Sequence, residues 1–228
     1  MGRFNLKSLQ ERTFSALILI PVVLLAVVWG GIPFYIMIAL LAGISLHEWV
    51  SMARRTENAS LHSIWGFIYI LLGFWFCVLV REEQGFSAAV LFLLMVWAAD
   101  IGAFFVGKYF GGPKMAPTIS PNKTWAGLVG GCDFAGVIGV LYFSFNLLVS
   151  PEAVFSWWII ILVFVLGVLI ALAGQGGDLI ISVMKRKTGV KDTGTLIPGH
   201  GGLLDRIDSM LLAAPVFYVL FSMFSIDL

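Results

Sequence analysis

The stretch Ser156–Ala173 reads SWWIIILVFVLGVLIALA, 18 residues without a single charge. A helix rises about 1.5 Å per residue and a bilayer core is about 30 Å thick, so about 20 apolar residues cross it. Six further stretches read the same way: Thr13–Trp29, Pro33–Val50, Leu61–Val80, Phe86–Phe105, Trp125–Val149 and Leu203–Phe224. Composition agrees. Of 228 residues, 60% are hydrophobic and 12% charged, against about 25% charged in a soluble domain. Mean hydropathy is +0.98. The expectation is an all-α integral membrane protein with about seven transmembrane helices. Eight or nine is the fallback, should the segment near Gly174 re-enter the membrane. The first run has a basic flank, but it is long and no small-x-small cleavage site follows, so it reads as a span rather than a signal peptide. Gly30-Gly31-Ile32-Pro33 predicts a tight turn after it.

Charge orients the spans. With the N-terminus in the cytoplasm, Arg3, Lys7, Arg12, Arg54, Arg55, Lys108, Lys114, Lys123, Lys185, Arg186, Lys187, Lys191 and Arg206 all fall on the inner side. That is 13 of the 14 basic residues, with Arg81 alone outside beside Glu82 and Glu83. This is the positive-inside pattern, and it predicts an odd number of crossings. A net charge of +1 excludes a generally basic nucleic-acid binder. Cys77 and Cys132 lie in separate apolar stretches and form neither a metal spacing nor a disulfide framework.

Polar residues gather in two inner segments, Asp100 to Asp133 and Gly174 to Asp208, both read as loops rich in paired glycines. The chain reads as a single domain, 1–228, with N-terminal helices over 1–99 and the chemistry over 100–228. Glycines beside Lys and Asp favour backbone amides approaching an anion over simple helix packing. Asp100 sits late in an apolar span and is expected to face a polar cavity, sharing a helix face with Gly107 and Lys108. Ser120-Pro-Asn122-Lys123-Thr124 offers hydroxyls, an ammonium and amides before a helix start, a candidate anion site. Gly176-Gly177-Asp178 is expected to open a helix, with Asp178, Ser182 and Lys185 on one face. After Pro198-Gly-His200-Gly201-Gly202, Asp205 and Asp208 share the face of a new helix.

Clustered carboxylates suit Mg²⁺, whose shell substrate phosphates complete. Lysine and arginine neutralise the remaining phosphate charge, and a second cation would clamp the leaving group. These residues point to phosphoryl or nucleotidyl transfer at the cytoplasmic face, with a lipid as one substrate.

One string is more specific: Ser182-x-x-Lys185-Arg186, Lys191-Asp192, Gly194, Pro198, His200-Gly201-Gly202 and Asp205-Arg206-x-Asp208, without a gap. It resembles the phosphatidate cytidylyltransferase (CDP-diacylglycerol synthase) family. Asp100 to Gly112, Ser120 to Trp125 and Gly177-Asp178 resemble its upstream pattern, and Glu48-Trp49 is compatible with its start. The resemblance implies transfer of CMP from CTP to phosphatidate with Mg²⁺ in a bacterial inner membrane, and allows a homodimer in the bilayer without nucleic acid. It implies metal-binding roles for Asp178, Asp205 and Asp208. It implies catalytic or phosphate-binding roles for Lys185, Arg186, Lys191, Asp192 and Arg206. His200 stays open between ligand, base and loop former. Asp100, Lys108, Ser120, Asn122, Lys123, Thr124 and Ser182 fall in the implied substrate pocket. Two positions depart from the pattern: Ala126 and Ile181 stand where relatives often hold Glu. A transporter and a weakly active or non-catalytic relative are the competing readings.

Overall fold

The computed structural model describes residues 6–149, 157–196 and 201–224, with side chains described from residue 17 onward, residue 18 excepted. Seven helices form it: α1 (Leu6–Trp29), α2 (Gly31–Ala53), α3 (Ala59–Glu83), α4 (Gly85–Phe110), α5 (Trp125–Val149), α6 (Trp157–Lys187) and α7 (Leu204–Phe224). They fall where the apolar runs predict them. Six, α2 to α7, are long and apolar enough to cross a membrane, and in α1 the described apolar stretch is Leu19–Trp29. The protein is an all-α integral membrane protein. Between α1 and α2 the chain turns on one residue, Gly30, at φ 66°, followed by Gly31 at φ 53°. Side chains other than glycine's rarely accept that left-handed geometry.

Two features differ from the sequence reading. The segment from Gly174 is not a loop. α6 runs unbroken through Gly174, Gly176 and Gly177 to Lys187, 31 residues in all. A helix that long measures about 46 Å, roughly 16 Å more than the apolar core. Asp178 therefore lies inside α6, rather than opening a helix, and Asp100 likewise lies inside α4. The second difference is a small antiparallel hairpin, β1 (Lys114–Ala116) with β2 (Ser120–Thr124), pairing Lys114 with Thr124 and Ala116 with Ser120.

The chain packs as two units, residues 1–71 with 184–207 and residues 72–183 with 208–228. In the first, the Trp49 indole donates to the His62 carbonyl at 2.7 Å and fills the space where a Cβ on Gly66 would stand. In the second, α4 and α5 touch backbone to backbone. A Cβ on Gly102 would meet the Gly130 carbonyl at 2.5 Å, one on Gly127 the Ala103 carbonyl at 2.8 Å, and one on Gly131 the Ala99 carbonyl at 2.9 Å. Small residues that let helix backbones close are what membrane packing favours. The Gly130-Gly131 pair is thus helix packing, which corrects the anion-binding expectation for it. Gly174 and Gly176 do the same against Ser209 and Leu212 of α7.

Candidate active site

The second unit carries Asp100, Lys108, Lys123, Asp178, Ser182 and Asp208. One helical turn separates Asp178 from Ser182, and the Ser182 hydroxyl donates to Asp178 Oδ1 at 3.0 Å. Lys123, at the end of the hairpin, forms an ion pair with Asp178 Oδ2. The Asp178 side chain is 31% exposed, so the pair is open on one side. Ser120 is half-buried and Asn122 exposed on the same strand. Thr124 is buried, and its hydroxyl accepts the Gly127 N–H at 3.1 Å, capping α5. The Lys108 ammonium stands 5.5 Å over the Phe104 ring.

Asp100, Gln175 and Ser209 line a cleft of about 320 Å³ whose other walls are apolar or glycine. The Ser209 hydroxyl lies 3.5 Å from Asp100 Oδ2, and the Gln175 Nε2 is buried without a protein partner. Asp208 is 9% exposed, and its Oδ1 accepts the Ser209 N–H at 2.9 Å. Ile181, at a position expected to hold Glu in relatives, is fully buried.

The first unit holds the rest of the motif. α6 ends in a glycine cap: Gly189 has φ 69°, Val190 N–H reaches the Lys185 carbonyl at 3.0 Å and Gly189 N–H the Arg186 carbonyl at 3.2 Å. This closing pattern satisfies terminal carbonyls and turns the chain. Arg186, Lys191, Asp192 and Arg206 are exposed. Lys185 is not. Its ammonium donates to Asp205 Oδ1 at 2.7 Å, with only 12% and 6% of the two side chains exposed. Asp205 Oδ2 accepts the Thr193 N–H at 2.8 Å, the Thr193 hydroxyl at 3.1 Å and the Gly202 N–H at 3.2 Å.

Sequence reasoning gave no role to a third carboxylate in this unit. Glu48 of α2 is 5% exposed. Its Oε1 accepts the Leu203 N–H at 2.9 Å, and its Oε2 accepts the Leu204 N–H at 2.9 Å and the Thr193 hydroxyl at 2.8 Å. Those amides open α7, where helix N–H groups have no partner of their own. A buried donor stripped of its acceptor costs about 1–3 kcal/mol. Gly194 and Gly202 belong to this closure: a Cβ on Gly194 would stand 2.7 Å from Glu48 Oε1, and one on Gly202 2.6 Å from Glu48 Oε2 and overlapping the Thr193 hydroxyl. The available signal was an acidic residue in an otherwise apolar span, which is costly unless partnered. Thr193 gave no signal. His200 lies outside the described residues.

Among the described residues no group of three or more His, Cys, Asp or Glu stands together to hold a metal ion. Two of the carboxylates that the resemblance implies for the metal, Asp178 and Asp205, are each paired with a lysine. The donor chemistry nevertheless suits Mg²⁺. These are hard carboxylate oxygens. Each ammonium sits in contact with its carboxylate, where a cation would sit. Asp178 keeps a lone pair on each oxygen and Asp205 one on Oδ1, counting two per oxygen.

Comparison with known proteins bears on the family of the chain. Residues 55–224 match the model of the cytidylyltransferase family. A phosphatidate cytidylyltransferase of Rickettsia typhi is 38% identical over 93% of this chain and 91% of its own length. One of Rickettsia felis is 37% identical over 93% of this chain and 92% of its own length. One of Brucella suis is 42% identical over 63% of this chain and 50% of its own length. On that coverage and identity, the chain belongs to the cytidylyltransferase family.

Proposed function

We propose that this protein transfers CMP from CTP to phosphatidate, giving CDP-diacylglycerol and pyrophosphate at the cytoplasmic face of a bacterial inner membrane. The observation that carries the reading is the buried Lys185–Asp205 pair at the mouth of α7, in a chain that belongs to the cytidylyltransferase family.

In the proposed reaction a phosphate oxygen of phosphatidate attacks the α-phosphorus of CTP. A new P–O bond forms, the bond from the α-phosphorus to the bridging oxygen breaks, and its electron pair leaves with pyrophosphate. The attacking monoester is already ionised at neutral pH, so the step needs no general base. What it needs is neutralisation of phosphate charge and alignment. Arg186, Lys191 and Arg206 are exposed and suit the phosphates. Lys123 is held by the more exposed carboxylate, Asp178, and is the ammonium placed to exchange that contact for phosphate, while Lys185 stays on Asp205. Bound Mg²⁺ would supply charge neutralisation, with Asp178, Asp205 and Asp208 as its proposed ligands.

The test is purified protein in mixed micelles with labelled nucleotide. CTP should label lipid far better than ATP or GTP, and phosphatidate should serve where diacylglycerol, which lacks the reacting phosphate, does not. Equal labelling without phosphatidate would sink the assignment. Orientation is tested by reporter fusions after Arg55, Glu83 and Lys114, which should read in, out and in.

A further inference from the structure

Glu48 is far from the motif in sequence and close to it in the fold. Its two oxygens accept both amides at the start of α7, 155 and 156 residues further along the chain. The Gly202 N–H, just before them in the chain, is accepted by Asp205. Two carboxylates thus close the opening of α7, one from a distant helix and one from the motif itself. Thr193 joins them. Its hydroxyl lies 2.8 Å from Glu48 Oε2 and 3.1 Å from Asp205 Oδ2, and its N–H fixes Asp205 Oδ2 at 2.8 Å. A hydroxyl has one hydrogen, which serves one carboxylate at a time. The orientation of Asp205 is therefore coupled to that of Glu48. Gly194 and Gly202 leave no room for a side chain between them.

We infer that Glu48 is a positioning residue for the transfer reaction: it caps α7 from α2 and, through Thr193, sets the Asp205 carboxylate. The inference deepens the proposed function and rests on it for its kinetic part. A plain helix cap would need only the Leu203 and Leu204 amides. The shared hydroxyl extends the contact to a proposed metal carboxylate. Groups one contact behind a metal ligand orient it and tune its affinity, and their loss typically costs 10- to 100-fold in metal affinity or activity.

The test compares Glu48→Gln, Thr193→Val and Thr193→Ser in the full-length protein. Glutamine keeps the size of Glu48 but turns an amide donor toward the N–H of Leu203 or Leu204. In Glu48→Gln, hydrogen exchange without any ligand should be about tenfold or more faster at Leu203 and Leu204, with α4 and α5 unchanged. The Mg²⁺ concentration giving half-maximal transfer should rise at least threefold in Glu48→Gln and Thr193→Val. Thr193→Ser, which keeps the hydroxyl, should restore the wild-type midpoint. An unfolded fraction lowers the maximal rate but leaves that midpoint where it was. Unchanged midpoints in both variants overturn the inference, as do unchanged exchange rates in Glu48→Gln. If Glu48→Gln does not accumulate, Thr193→Val decides by the same midpoint. If the wild type makes no liponucleotide, the proposed function fails, while exchange still reads the cap.

Discussion

Two lysine–carboxylate pairs sit at opposite extremes. Lys185 and Asp205 are 12% and 6% exposed, and Asp205 accepts three further hydrogen bonds. Lys123 and Asp178 are 18% and 31% exposed, and Asp178 accepts one further bond, from Ser182. The same two charges are fixed scaffolding in one place and an exchangeable contact in the other. A buried pair that loses one partner leaves an uncompensated charge and costs about 3–5 kcal/mol. A solvent-reached pair contributes about 0–1 kcal/mol. The difference predicts which carboxylate is coupled to folding and which to substrate alone.

The largest expected effect is at Asp205. Asp205→Asn should lower the transfer rate about 100-fold or more, as loss of one key electrostatic group does. It should also lower stability by about 3 kcal/mol, because Lys185 stays buried without its partner. Thermal unfolding in detergent and turnover per folded molecule measure both. Asp178→Asn should lose a comparable factor in rate, about 100-fold, with its unfolding midpoint unmoved. If the two variants shift stability equally, the contrast between the pairs is broken.

Gly202→Ala is the next step down. The added methyl would overlap the Thr193 hydroxyl and crowd Glu48, and overpacking of this kind costs about 1–3 kcal/mol. Gly112→Ala is its control. At φ 91° it carries backbone strain, but nothing lies within 4 Å of the new methyl. The smallest effect is at Lys123→Met, which removes the half-buried partner of the more exposed Asp178 and should change stability by less than about 1 kcal/mol. Chemical denaturation of the three variants ranks them, and Lys123→Met falling below Gly202→Ala would reverse the account.

The spans were legible because uninterrupted apolar runs leave a chain few choices, and all seven helices fall on them. Helix ends inside the polar segments were not legible. Gly174, Gly176 and Gly177 look like breaks, yet α6 continues through them, and at Gly174 and Gly176 close approach by Ser209 and Leu212 uses the missing side chains. The hairpin is too short for an alternating pattern to show. At the site, the motif drew attention by resemblance to Lys185 and Asp205, which the structure pairs. It was silent on Glu48, whose partners lie 145 to 156 residues away. A contact of that separation leaves no periodicity in the sequence. The costly feature, a carboxylate in an apolar helix, was the only local trace.

The central claim is nucleotidyl transfer to a lipid phosphate, and the fate of the individual phosphates of CTP tests it most directly. Purified protein is given phosphatidate with CTP labelled at either the α- or the γ-phosphorus, and lipid and aqueous products are separated. The account predicts α-label in the lipid fraction, γ-label in pyrophosphate and equal amounts of the two products. Label from the γ-phosphorus in the lipid, or no α-label there with wild-type protein that is folded, would contradict it.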